Sequence, residues 1–374
     1  MTTMHLSLAI CIIVAVSSKS LALASVPAVK VAVITATSGA DPNTALELNR
    51  GAEVFTSLNQ QSAKRLALTK FDNKGDIKET VSIIERIAAE GFTAAVGIAR
   101  SDEAIAAGQI SKSKNLLFMT PFATNPKLSQ LDAKVIQVCY SDDYQGKALA
   151  ELASKTLRPK KLLILVNSES LYSTGLAERF LASFPTSAAV LIKRVDYTER
   201  DLKQPEIEKI AQSMNADLIF IPDHITRAAL FAKALNKKLP KVRFLGGDGF
   251  GGKKILTGVF GDTPKIDLYY TTHWNAEIDT AENRRFIKEY RRMFPDSEPN
   301  SGAAMMFDLL NILDSAVLNG NFEPTKIAAY IRSNKFNTTT GKLNFPNEVG
   351  SGPVKPVVVL HLKDSQYGFY KTIR

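Results

Sequence analysis

The stretch GGDGFGGKK, Gly246 to Lys254, sets an acid among glycines directly after the apolar run Val242–Leu245. Glycines at the end of a strand suggest a phosphate cradle. Gly247–Gly252 fits GxGxxG, and Gly247–Lys253 fits the first seven places of GxxxxGK[ST]. Both matches fail on chemistry. The P-loop needs a hydroxyl for magnesium after its lysine, and residue 254 is lysine; Asp248 also places negative charge where the phosphate would lie. A dinucleotide fingerprint closes the first strand of its unit, whereas these glycines fall about two-thirds of the way along 374 residues. A carboxylate at a strand end, freed from side-chain crowding, suits a cation such as an ammonium. Other reactive groups are sparse. Beyond His5 only His224, His273 and His361 occur, none with a second ligand at metal spacing, and no GxSxG is present. The chain is therefore expected to be no enzyme, with no metal and no cofactor.

The elements that would hold Asp248 alternate regularly. Apolar runs at 29–37, 65–71, 93–98 and 116–120 read as buried strands, separated by amphipathic helices at 44–58, 76–89 and 101–113. Ser101 is expected to cap its helix, with Asp102 and Glu103 in the first turn. After the strand 135–139 the rhythm restarts, with helices at 144–157, 173–184, 205–214 and 225–235 and strands at 160–166, 188–195, 216–221 and 242–245. Beyond 269–274 come helices at 283–294, 302–318 and 324–333, then a closing strand pair at 354–362 and 367–373. The pattern predicts an α/β fold with mainly parallel sheets. In such sheets ligands bind beyond the carboxyl ends of the strands, which singles out the loops 37–44, 98–102, 120–125, 167–174, 222–226 and 246–250.

Ends and composition narrow the class. Leu6–Val16 is an apolar core followed by Ala22–Leu23–Ala24, the pattern of a secretory leader over residues 1–24, and it is too short to span a membrane. Cys11 sits inside that core, not at its end, which argues against a lipid anchor. Only Cys139 remains in the mature chain, so no internal disulfide forms and burial must supply the stability. The mature length predicts two domains. Lys and Arg number 47 against 37 Asp and Glu, a net charge of +10 that falls to +9 when Lys19 leaves with the leader. The basic residues are scattered at 158–161, 237–241, 253–254 and 291–292 without an aromatic platform, so they read as solvated faces and not as a nucleic-acid site.

Read together, the loops resemble the leucine/isoleucine/valine-binding protein family, the type I periplasmic solute-binding proteins of ABC importers. The resemblance rests on KVAVITATSG with NRGAEV, on FDNKGDIKETVSIIERIAAEGFTAAVG, on FMTPFATNP, on LYSTGLAERF and on FLGGDGFGG, in the family's order. It implies two doubly wound lobes joined by three crossovers: residues 29–140 plus 273–350, and 141–272 plus 351–374. It further implies a monomeric periplasmic receptor that closes on one small solute and presents it to a membrane permease. By the same resemblance, Ser101 would offer its hydroxyl, backbone N–H and helix dipole to a carboxylate, Thr124 with the backbone of Phe122 and Ala123 would bind both ends of a zwitterion, Asp248 would face the ammonium, and Tyr172 would cover the ligand. The chain departs from the family where Thr44 replaces an aromatic, His224 replaces a tyrosine and Pro222–Asp223 replaces a glycine pair; Arg100 is an addition beside Ser101. The expected pocket is more polar than one for leucine. An amino acid is the expected solute, with a non-amino-acid carboxylate, an aromatic acid or an amide as the alternative, and a signalling partner as the alternative to a permease.

Overall fold

The computed structural model describes residues 28–373 apart from 40–41, 186–188, 252, 262–264, 347–351 and 365. The expected leader and Cys11 lie outside these residues. The first sheet forms from β1 (Val29–Thr35), β2 (Leu66–Asp72), β3 (Ala94–Val96), β4 (Leu117–Thr120) and β5 (Val135–Gln137) in the parallel order β2-β1-β3-β4-β5. Between these strands run α1 (Pro42–Leu58), α2 (Gln60–Arg65), α3 (Ile77–Ala89), α4 (Ser101–Ser113) and α5 (Lys127–Leu131).

The second lobe opens with α6 (Asp142–Glu151), which continues as a π-helical turn to Leu157. It then runs through β6 (Lys161–Asn167), α7 (Leu171–Ser183), β7 (Leu191–Tyr197), α8 (Gln204–Met214), β8 (Leu218–Ile221), α9 (Ile225–Lys238), β9 (Arg243–Gly246), α10 (Lys253–Phe260) and β10 (Asp267–Thr272). The chain returns to the first lobe as α11 (Ala281–Met293), α12 (Ser301–Leu318), α13 (Pro324–Ser333) and the hairpin β11 (Lys335–Thr338) and β12 (Gly341–Asn344). It ends as β13 (Val357–Lys363) and β14 (Gln366–Ile373), antiparallel at the edge of the second sheet, whose order is β14-β13-β10-β9-β8-β6-β7. The two sheets make two α/β lobes. The chain passes between them three times: between β5 and α6, between β10 and α11, and between β12 and β13.

The strands read as continuous apolar runs because helices cover both faces of each sheet, as parallel sheets require. Val31, Ala32, Val33 and Ile34 are all fully buried, split between clusters on opposite faces of the first sheet. Within the described residues α12 alone is long and apolar enough to cross a membrane, yet 78% of it is buried. It is the central helix of the first lobe, against α1. Contact there is tight: a Cβ on Gly51 would lie 2.3 Å from the Ala303 carbonyl oxygen.

Two differences from the expectations above stand out. Ser101 does not cap α4. Arg100 holds the cap position without a side-chain cap bond, and Ser101 is the first helical residue. The hairpin β11–β12 and helices α2, α5 and α10 had no counterpart in the sequence reading.

Candidate functional site

A cavity of about 110 Å³ lies between the lobes. The first lobe contributes Asn43, Thr44 and Glu47 from α1, Ala99 to Ser101 at α4, Phe122 after β4, and Asn300 to Gly302 at α12. The second lobe contributes Tyr172, His224 to Thr226, Asp248, Gly249 and Gly251. Of the residues singled out from sequence, Thr44, Arg100, Ser101, Phe122, Tyr172, His224 and Asp248 come together here. Ala123 and Thr124 are fully buried behind the wall and do not line it.

The walls share one construction. Five helices present their N-terminal turns: α1 through Asn43 and Thr44, α4 through Ser101, α7 through Tyr172, α9 through Ile225 and Thr226, and α12 through Ser301 and Gly302. First-turn N–H groups have no carbonyl partner within their own helix, and the aligned peptide dipoles place positive potential there. Anions are favoured at such a convergence. Arg100 adds positive charge, steadied by Glu103 at 3.5 Å.

Asp248 opens a single 3-10 turn (Asp248–Phe250) after β9 and supplies the opposite charge. Its Oδ1 accepts from Tyr172 Oη and Gln145 Nε2, both at 2.9 Å, and its Oδ2 pairs with His273 Nε2 at 3.0 Å. Burial disfavours the carboxylate, but the hydrogen bonds and charge of His273, with those of Gln145 and Tyr172, outweigh it and hold the carboxyl below its usual range. Burial also lowers His273 below the ordinary imidazole range against the pull of Asp248. At neutral pH the imidazole is thus uncharged and donates through Nε2, leaving Nδ1 without a partner. Three of about four carboxylate lone-pair positions are filled, and one on Oδ2 remains.

The glycines make room for this arrangement. A Cβ on Gly247 would sit 2.3 Å from Tyr172 Oη and 2.7 Å from Leu176 Cδ2. Gln145, which the sequence reading passed over, joins the parts: Nε2 donates to Asp142 Oδ1 as well as Asp248, while Oε1 accepts from the Asp248 N–H and Thr271 Oγ1. All its hydrogen-bonding positions are used. Asp142, fully buried beside it, is pushed well above the usual carboxylate range by burial and by the charge of Asp248. The hydroxyl of Thr124, close to this carboxyl, acts against those two effects and favours the charged form.

Two loops are fixed from behind. Thr120 Oγ1 donates to the Ile98 carbonyl at 2.7 Å and accepts from the N–H groups of Phe122 and Ala123 at 3.3 and 3.0 Å. Those amides, expected to meet a ligand, hold the loop instead. Asp223 accepts from the His224 N–H at 2.7 Å and from Tyr197 Oη at 2.6 Å, so it sets His224, whose ring lies 5.1 Å from that of Tyr172.

A sequence profile of periplasmic binding proteins matches residues 28–366. The chain belongs to the periplasmic binding protein family. Within it, the chain is 23% identical over 345 residues to the Leu/Ile/Val-binding protein of Escherichia coli, covering 90% of this chain and 91% of that one. It is 24% identical to the Leu/Ile/Val-binding protein BraC3 of Rhizobium johnstonii over 193 residues, 51% of this chain, where the match spans about half (52%) of the relative's length. A leucine-binding protein from Thermotoga maritima superposes with a TM-score of 0.85 at 26% identity, over 92% of this chain and 99% of that one. A solute-binding protein from R. palustris, solved with benzoate, superposes at 0.79 with 17% identity, over 92% and 96%. The type I fold of periplasmic binding proteins and the solute-binding role of the family are therefore established for this chain.

Proposed function

We propose that the protein captures one small carboxylate-bearing solute, an amino acid first among them, in the cavity between its lobes and delivers it to the permease of an ABC importer. The observation that carries this reading is the convergence of five helix N-termini on one cavity, three from the first lobe (α1, α4, α12) and two from the second (α7, α9), with Asp248 facing the first-lobe three from the second lobe. Ser101, Arg100 and the first turns of α4 and α12 receive the carboxylate, and the remaining lone pair of Asp248 Oδ2 receives the ammonium. A zwitterion leaving water needs both partners, since an unpaired buried charge costs several kcal/mol. Thr44 and His224 border the solute's side chain, Phe122 and Tyr172 cover it, and Ala123 and Thr124 support the wall from behind. No bond is made or broken. The mature chain acts as a monomer in the periplasm after removal of residues 1–24.

A second reading has its own support. Three hydrogen bonds from the protein already occupy Asp248, and solved structures of this fold carry amino acids in some cases and benzoates in others. A plain aromatic acid would use the helix N-termini and leave Asp248 to the protein. Thermal-shift titration of the mature protein with leucine, glutamate and benzoate separates the two, because a ligand bound only by the native state raises the melting temperature. If an amino acid shifts the wild type, Asp248→Ala abolishes that shift and spares any produced by benzoate. Equal loss of both removes the ammonium role.

A further inference from the structure

Beside the cavity, the start of α7 in the second lobe is bonded to the first lobe through Leu171. Leu171 is the first helical residue of α7, and both of its backbone groups are held by side chains of the first lobe. Its N–H donates to Asp102 Oδ1 at 3.1 Å, and its carbonyl accepts from Asn125 Nδ2 at 2.9 Å. The Asn125 amide is oriented for this task, because its Oδ1 accepts from the Lys127 N–H at 3.0 Å. The Leu171 side chain packs on the first lobe's apolar cluster containing Ile98, Ala123 and Leu128. One turn on, α7 carries Gly175, where a Cβ would stand 3.0 Å from Asn125 Nδ2. Tyr172, the next residue after Leu171, lines the cavity and holds Asp248.

We infer that Asp102 and Asn125 form a clasp on the Leu171 backbone that exists only when the lobes are closed, so that these two positioning residues set the closed fraction and hence the affinity without touching the solute. The inference rests on the cavity being the solute site. A bond made only in the closed form stabilises every closed complex alike, whatever the solute, because apparent affinity scales with the population of the competent form. Removing one such hydrogen bond weakens binding about fivefold. It does so by the same factor for all solutes, unlike a change in the cavity wall.

The test exploits hydrogen-bond polarity. Asp102→Asn keeps an acceptor for the Leu171 N–H, whereas Asp102→Ala removes it. Asn125→Asp keeps the acceptor for Lys127 but turns an oxygen toward the Leu171 carbonyl. Calorimetric titration with leucine, glutamate and benzoate is expected to show Asp102→Ala and Asn125→Asp weakening every measurable affinity by one common factor, with Asp102→Asn near wild type. Solute-dependent factors, or no change in Asp102→Ala, overturn the clasp. If none of the three solutes binds the wild type, the solute assignment fails and the clasp is judged by small-angle scattering. The clasp then requires a larger radius of gyration in Asp102→Ala and Asn125→Asp than in the wild type, and equal radii refute it.

Discussion

Asp142 is a carboxyl that burial, with the charge of Asp248, pushes toward its neutral form. Its folded pKa is raised, so its contribution to stability is present below the unfolded value of about 3.9 and is lost as pH rises. At neutral pH it is a cost. Asp142→Asn keeps the acceptor for Gln145 and removes that cost, so it should raise stability by about 1–3 kcal/mol at pH 7 and change little below about pH 4, as read by urea unfolding at the two pH values. His273 has the opposite sign of shift. Its folded pKa is depressed, so the stability it contributes is present above about pH 6.5 and lost as pH falls. Melting profiles should therefore be flatter between about pH 6.5 and 5 in His273→Gln than in wild type; parallel profiles would show that the imidazole is not held neutral. Gly247→Ala would drive a methyl into Tyr172 Oη. That overpacking should cost about 1–3 kcal/mol and weaken solute binding together, since the same hydroxyl holds Asp248. Asp248 was visible in sequence because its glycines mark a strand end that has been cleared of side chains. Gln145 was not, since a lone glutamine among helix formers carries no signal until Asp248 is brought to it from 103 positions away.

At the scale of elements, the alternation of apolar runs and amphipathic stretches made both sheets and their main helices readable. A fully buried parallel strand and an amphipathic helix have periods that a single sequence displays. Ser101 shows where that stops. The serine, with two acids in its first turn, looks like a cap, yet the helix begins one residue earlier than a serine cap requires, a shift of the size that local signals do not resolve. The hairpin β11–β12 is anchored by Asp308 of α12, whose carboxylate accepts from the N–H groups of Thr339 and Thr340, both at 2.8 Å. Its turn therefore depends on a residue 31 positions earlier. The packing of α1 on α12 gives the clearest prediction at this scale. Gly51→Ala would push a methyl against the Ala303 carbonyl and separate the helices that carry Thr44 and Ser301 to the cavity. A loss of about 1–3 kcal/mol by urea unfolding, with weaker solute binding, is expected, and full stability would show that this contact is not tight.

For the whole molecule, the three passages between lobes carry buried side chains that can hydrogen-bond or ionise. Tyr140 and Cys139 lie on the first, His273 on the second and Lys355 on the third, all buried. Burial holds the Lys355 ammonium down to about 8 and raises the Cys139 thiol. Of these side chains His273 bonds Asp248 directly, so lobe motion at the second passage is coupled to the acid of the site. Closure is a population shift: a solute that touches both walls favours the closed form by its contacts there. The identity of the solute was the least legible feature, because Thr44, Arg100 and His224 alter a pocket whose selectivity depends on distances that sequence does not contain. The net charge, +10 for the whole sequence and +9 without Lys19, acts at this scale as well, favouring the approach of anionic solutes with a dependence on salt. The most direct test is calorimetric titration of whichever solute raises the melting temperature most, into wild type and into protein carrying Ser101→Ala and Asp248→Ala, one change on each wall. The account predicts one site per chain in the wild type and a loss of about a hundredfold in the double variant. Undiminished binding in that variant would contradict it.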